Sequence, residues 1–500
     1  IRRELVVQFR AGRCLCEGGR SMAKKPNILF IFSDQHRHDV LGCAGHPLVQ
    51  TPNLDRLTDW GMRFERTWTQ CPVCMPCRAT MITGRYTHEL GFTSNVTADR
   101  GDTVDDSPFK PAWPTIMKQL QGGGYETASI GKTHYHGRPG SQEAGERGEN
   151  FDTRQFGDFV KDFGWDYVME EYDRYGHVQS HVKSPYMDFL EARGLLEAHQ
   201  EQIRGIYRLT PTHWRGETSV LPQECELSSF IADHAMDWLQ SRDSEKPFYL
   251  HLGFVQPHVP LMDDPIWAAY YADADIELPD MTMPSATNEV WAGKVKRLKT
   301  HSQVQTMTDD FVREGIRHYL GAVSLVDQKI GEVIDTLDAL GELDNTWIIY
   351  SADHGEMLGE HHLWAKHCFY EGSVQVPLIV SPPDRKNRGV CSDLTQLIDV
   401  VSTIAEIGQV APPEGARGQS LLPMLERGSG GYDYVFSTIE DWTGVRNEGY
   451  RFTLHVPTGT PCELYDLARD PGELNNCVED PAYGEIVDQL KAVVLDHCAG

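Results

Sequence analysis

Asn27-Ile28-Leu29-Phe30-Ile31-Phe32-Ser33-Asp34-Gln35 runs an unbroken apolar stretch straight into an acid and an amide. A short continuous apolar run with polar residues at each end is the pattern of a strand buried on both faces. Similar runs lie at 247–254, 346–351 and 376–381. Helical periodicity separates them, at 53–60, 113–122, 227–240 and 319–340. Strands alternating with amphipathic helices predict an α/β fold, with a large, mostly parallel central sheet flanked by helices. In such sheets ligands gather beyond the carboxyl ends of the strands. That rule draws attention to Asp34-Gln35 and to Asp353-His354, which ends the 346–351 run. An acid and a polar neighbour from each of two strand ends can converge on one divalent cation. Either pair alone is as well explained by an aspartate capping the next helix.

The rest of the chain is organised around that sheet. Residues 138–225 are polar, aromatic and charged without clean periodicity, and read as insertions over the active edge that face the substrate. Gly- and Pro-rich stretches around 411–432 mark a boundary. Beyond it, 434–439 and 444–456 suggest antiparallel strands and 483–497 a closing helix, giving a smaller C-terminal antiparallel-sheet subdomain. The predicted division is 1–21 as a non-native or upstream extension, 22–430 as the catalytic α/β domain, and 431–500 as an α+β subdomain.

A formal charge of −27 argues against nucleic acid as a partner and gives no reason to expect a membrane surface. An anionic substrate would need a local basic pocket working against that field. Twelve cysteines in 500 residues follow no disulfide framework. No apolar run approaches the about 20 residues of a membrane span. The 28–32 run that follows Met22 is too short for a signal peptide, so the expected location is cytoplasmic.

One more stretch carries chemistry: Cys71-Pro72-Val73-Cys74-Met75-Pro76-Cys77-Arg78, opening a helical pattern. A helix N-terminus favours an anion. The C-x-x-C-x-x-C spacing is also compatible with an iron–sulfur cluster, half a zinc site, a redox pair, or three buried small residues.

Cys74-x-Pro76-x-Arg78, continued by Ala79-Thr80-Met81-Ile82-Thr83-Gly84-Arg85, resembles the signature of the type I sulfatases of the alkaline phosphatase superfamily. In that family the motif cysteine is oxidised to formylglycine; position 77 holds cysteine where serine or alanine is usual. Asp34-Gln35 and Asp353-His354 match the family's metal positions and resemble the choline sulfatase and phosphonate monoester hydrolase branch. Gly131-Lys132-Thr133-His134 matches its Gly-Lys-x-His, and Gln256-Pro257-His258-Val259-Pro260 its Pro-His-x-Pro. Lys366 sits in a segment resembling the family's second lysine, and Glu463-Leu464-Tyr465-Asp466-Leu467 the stretch that closes such chains.

The resemblance implies a sulfatase that hydrolyses a small-molecule or carbohydrate sulfate ester, and a formylglycine-generating maturase as partner. It implies metal ligands Asp34, Gln35, Cys74, Asp353 and His354 around one divalent ion: calcium, manganese or zinc, with imidazole tilting the choice from calcium. Arg78, Lys132, His134, His258 and Lys366 are the implied catalytic residues beside Cys74. His361, His362 and His367 read as loop residues. A phosphonate monoester or phosphodiester hydrolase on the same fold is the nearest alternative, and a non-catalytic binding protein follows if Cys74 is not oxidised. Homo-oligomerisation stays open.

Overall fold

The computed structural model describes residues 24–95, 107–136, 152–174, 183–208, 212–284, 287–304, 307–386 and 388–499. The extension expected at 1–21 lies outside them. In chain order the strands are β1 (Asn27–Asp34), β2 (Met62–Trp68), β3 (Glu126–Gly131), β4 (Tyr167–Glu170), β5 (Glu217–Thr218), β6 (Phe248–Pro257), β7 (Met262–Asp263), β8 (Thr346–Ala352), β9 (Gln375–Ser381) and β10 (Gly389–Gln396). Four more follow: β11 (Val435–Ile439), β12 (Trp442–Arg446), β13 (Tyr450–His455) and β14 (Thr460–Asp466).

Eight strands form the main sheet in the order β10-β2-β9-β8-β1-β6-β3-β4, and β11 to β14 form a separate four-stranded sheet. Within the large sheet only β9 runs antiparallel to its neighbours. The small sheet is antiparallel throughout. The expected α/β class, with a smaller antiparallel sheet towards the C-terminus, is what forms.

The apolar run of β1 explains the layering. Successive side chains in a strand point to opposite faces. Ile28, Phe30 and Phe32 pack into one core with α2 (Cys74–Thr83), α3 (Ile116–Gly122) and α6 (Asp399–Ile407). Leu29 and Ile31 pack into the other with α1 (Pro52–Trp60), α4 (Leu227–Ser241) and α5 (Asp309–Ala339). A last helix, α7 (Gly484–Ala499), closes the small sheet through Val487, Leu490 and Val494.

Two expectations need correcting. The helix expected from 319 starts ten residues earlier, at Asp309, where Thr308 accepts from the Phe311 N–H and two aspartates occupy the first turn. Residues 138–225 are more than insertion: β4 is the edge strand of the main sheet, and helices occupy Pro185–Glu191 and Leu196–Arg208. Among the described residues no helix is long and apolar enough to cross a membrane.

Candidate active site

Strand register assembles the site. β1 and β8 are parallel neighbours paired Ser33 to Ala352, so Asp34 and Asp353 emerge side by side at the carboxyl edge. β1 pairs with β6 through Asp34 and Pro257, which sets His258 next along that edge. β3 pairs with β6 through Gly131 and Gly253, and Lys132 follows. The strands approach so closely there that a Cβ on Gly131, at φ +97°, would fall 2.0 Å from the Gly253 carbonyl oxygen. Helix α2 points its N-terminus into the same space, with Cys74 as its first residue and Arg78 one turn on.

Arg78 is the hinge of the charge arrangement. Its guanidinium reaches Asp34 Oδ2 at 3.2 Å and Asp353 Oδ2 at 3.0 Å, and donates to the Lys132 carbonyl at 2.8 Å. Lys132 Nζ adds a second cation on Asp34 Oδ2, at 2.6 Å. Both Oδ2 atoms are thus tied to cations, leaving the two Oδ1 atoms for another partner. Burial pushes the Asp34 carboxyl up, but Lys132, His258, Arg78 and His354 outweigh it and hold it well below the usual range.

His354 completes the donor set. Its Nδ1 lies 3.0 Å from the Gly355 carbonyl, which can only accept, so Nδ1 carries the proton and Nε2 presents a lone pair. Nε2 sits 3.5 Å from Asp353 Oδ1, 3.6 Å from Asp34 Oδ1 and 3.2 Å from Cys74 Sγ. Burial, with Lys366 close by, lowers the pKa of this imidazole and keeps it neutral. Asp34, Cys74, Asp353 and His354, all buried, offer ligand atoms within 4.8 Å of one another. Two carboxylates, a neutral imidazole and a residue-74 ligand fit a divalent cation.

Gln35 has a different place from the other expected ligands. Its amide oxygen accepts from Lys366 Nζ at 2.7 Å, its amide nitrogen donates to Glu356, and its backbone N–H donates to Asp353 Oδ1. Through these contacts it aligns Asp353 and anchors Lys366. The three motif cysteines look in different directions: Cys71 to the Thr93 carbonyl, Cys77 to the Thr69 hydroxyl, and Cys74 to the donor cluster. Burial pushes the Cys71 and Cys77 thiols well above their usual range, which makes them protonated packing groups. That geometry is wrong for a shared cluster or a redox pair. Of the neighbouring histidines, His361 stacks on Tyr370 with ring centroids 4.1 Å apart, and His367 lies edge-on to His301.

Four residues that the sequence did not point to support the site, three of them at the lysine–histidine arm and one at the start of α2. From the last residue of β4 the chain enters the site as Glu170-Glu171-Tyr172-Asp173-Arg174. Glu170 accepts from the backbone N–H groups of Thr133 and His134, clamping the loop that carries the arm. Tyr172 Oη lies 3.1 Å from His134 Nε2. Asp173 pairs with Lys132 and lies 3.8 Å from His258 Nδ1. Asn95 accepts from the Met75 N–H at 2.9 Å, holding the start of α2. His134 Nδ1 is buried without a hydrogen-bond partner among the described residues, and burial with nearby Lys132 keeps its imidazole neutral. His258 Nδ1 is fixed by the Val259 carbonyl at 3.0 Å. Apart from Asn95, these residues sit where periodicity was weakest.

The sulfatase family model matches residues 26–410, most of the chain. The chain belongs to the sulfatase family. Membership makes it a sulfuric ester hydrolase by class. A second model, the C-terminal part of N-sulphoglucosamine sulphohydrolase, matches 359–499. An arylsulfatase of Clostridium perfringens is 27% identical over 95% of this chain and 95% of its own length. An N-acetylglucosamine-6-O-sulfatase of Bacteroides thetaiotaomicron is 26% identical, covering 93% and 85%. The phosphonate monoester hydrolase of Agrobacterium radiobacter shares the fold, with a TM-score of 0.75 at 23% identity over 94% of this chain and 95% of that one.

Proposed function

We propose that this sulfatase cleaves a small-molecule or carbohydrate sulfate ester to an alcohol and inorganic sulfate, using formylglycine made from Cys74 and one divalent cation held by Asp34, Asp353, His354 and residue 74. The observation that carries this reading is the place of Cys74: at the N-terminus of α2, with Sγ 3.2 Å from His354 Nε2 and 3.8 Å from Asp34 Oδ1. The cation, when bound, supplies positive charge for the sulfuryl oxygens, and the hydrated aldehyde supplies one hydroxyl to attack and another to expel the product.

The protein's own groups do the remainder. Arg78 holds and orients both carboxylates through its ion pairs. Lys132 and Lys366 stabilise negative charge as it shifts towards the leaving oxygen, and His258 supports the departing alcohol. His134, neutral and with a bare Nδ1, accepts a proton from the second hydroxyl. The imidazole ligand favours manganese or zinc over calcium. Lys132 and His134 resemble the sulfatase branch, which supports sulfate over the phosphonate monoester carried by the structural neighbour.

The test is peptide mass spectrometry of the protein co-expressed with a formylglycine-generating enzyme, together with turnover of a panel of aryl, choline and sugar sulfates. Formylglycine at position 74 with sulfate release is expected. Unmodified Cys74 in a preparation that still releases sulfate would refute the mechanism, and formylglycine without any sulfate release would refute the substrate class.

A further inference from the structure

The Asp173 carboxylate is out of place in a site that must receive an anion. It is buried, it follows the edge strand β4, and it ion-pairs with Lys132, a group the sulfatase reading puts on the sulfate. It also lies 3.8 Å from His258 Nδ1. Burial pushes this carboxyl up, but Lys132, His258 and His134 outweigh burial and hold it below the usual carboxylate range, so it carries a full charge. Of the other acids at this edge, Asp34 and Asp353 have their Oδ2 atoms on cations and their Oδ1 atoms in the donor cluster, and Glu170 is taken up by the Thr133 and His134 N–H groups. Glu356 stands behind Gln35 and accepts from the Leu358 and Ala365 N–H groups. Among the described residues, Asp173 is the acid paired with Lys132 that has no place among the donors.

Its neighbours fix it there. Glu170 grips the 133–134 loop, and Arg174 pairs with the buried Glu226, so Asp173 lies between two anchored residues. An oxygen of the transferred group bound to Lys132 would sit two contacts from the carboxylate, about 5 Å away. At that distance, with the effective dielectric of about 20 that suits a buried site, a unit of like charge is worth roughly two hundredfold in an equilibrium or rate.

We propose that Asp173 is a specificity-determining residue that sets the charge the site accepts, disfavouring a second negative charge on the transferred group. The proposal rests on the sulfatase reading of the site. A sulfate monoester presents one negative charge. A phosphate monoester presents two above its second ionisation near pH 6. Phosphodiesters and phosphonate monoesters present one, so Asp173 sorts dianions from monoanions and is neutral between sulfate and phosphonate esters.

The experiment compares kcat/KM at pH 8 for 4-nitrophenyl sulfate, 4-nitrophenyl phosphate and bis(4-nitrophenyl) phosphate, on formylglycine-bearing, metal-loaded wild type, D173N, D173S and D173E. The phosphate-to-sulfate ratio is expected to rise at least tenfold in D173N and D173S and to stay near wild type in D173E. The diester-to-sulfate ratio is expected to hold in all. A merely structural role would lower all three substrates together and leave the ratios alone, and that result would overturn the proposal. So would a D173E ratio equal to that of D173N, or loss of folding in both neutral variants while D173E folds. Wild type bearing formylglycine but inert towards every sulfate ester would instead bring down the functional reading itself, and this proposal with it.

Discussion

Replacing Arg78 by methionine tests whether the two carboxylates of the proposed metal site depend on that guanidinium before any cation arrives. Arg78 is 2% exposed and touches Asp34 and Asp353 at 3.2 and 3.0 Å. Its loss is not symmetrical. Asp34 keeps Lys132 at 2.6 Å, whereas Asp353 is left with the His354 imidazole at 3.5 Å and backbone donors from Gln35 and His354. Breaking a buried ion pair by removing one partner costs about 3–5 kcal/mol. Since one of the two carboxylates retains a cation, the lower end applies, about 3 kcal/mol in the presence of a chelator. A bound divalent ion replaces the missing positive charge, so saturating manganese should shrink the loss to roughly 1 kcal/mol. Equilibrium urea unfolding with EDTA and with manganese measures both. A loss under about 1 kcal/mol in EDTA, or the same loss with and without metal, would refute the argument.

Asp353→Asn should weaken manganese or zinc binding more than about a hundredfold, and Gln35→Ala only about ten- to a hundredfold, because Gln35 aligns a ligand; isothermal titration of the apoprotein decides between them. Tyr172→Phe removes the hydroxyl beside His134 Nε2 and should lower kcat about tenfold with little change in KM; an unchanged kcat would count against that contact. His497 packs flat on Phe436 at 3.8 Å, and burial, with His88 next to it, lowers its pKa to about 3. Its folded pKa lies below its unfolded one, so stability is full above about pH 6.5 and falls as acid protonates the unfolded chain, by at most about 1.4 kcal/mol per pH unit. His497→Phe should flatten the urea midpoint between pH 6.5 and 5.

Central strands were legible because burial on both faces leaves an unbroken apolar run, as in β1, β8 and β9. The flanking strands β2, β3 and β10 escaped because charged and small residues interrupt them: Arg63, Glu65 and Arg66 in β2, Ser392 and Asp393 in β10. The site residues at strand ends and on α2 were readable from short motifs, since each is fixed by local backbone. Tyr172 and Asp173 were not. Their position depends on β4 joining the sheet edge beside β3, a tertiary pairing of only four residues that leaves almost no periodic trace. Gln35 was readable as a site residue, but its bond to Lys366 spans 331 positions and no local pattern announces it.

The parallel pairing of β1 with β8 has a consequence for timing during synthesis. Cys74 is 1% exposed, sealed under a sheet whose central strand cannot find that neighbour until Ala352 has been made. At about 5–20 residues per second, the roughly 280 residues between them take on the order of 15–55 s to translate. During that interval the sheet that buries the start of α2 is incomplete, so the 71–85 segment is expected to be accessible. If Cys74 is matured as the proposed function requires, the oxidising enzyme would meet a linear sequence and would have to act before the sheet closes. Slow-growing chains, or mutations that delay β8 docking, should carry more of the aldehyde, and fast-folding ones less.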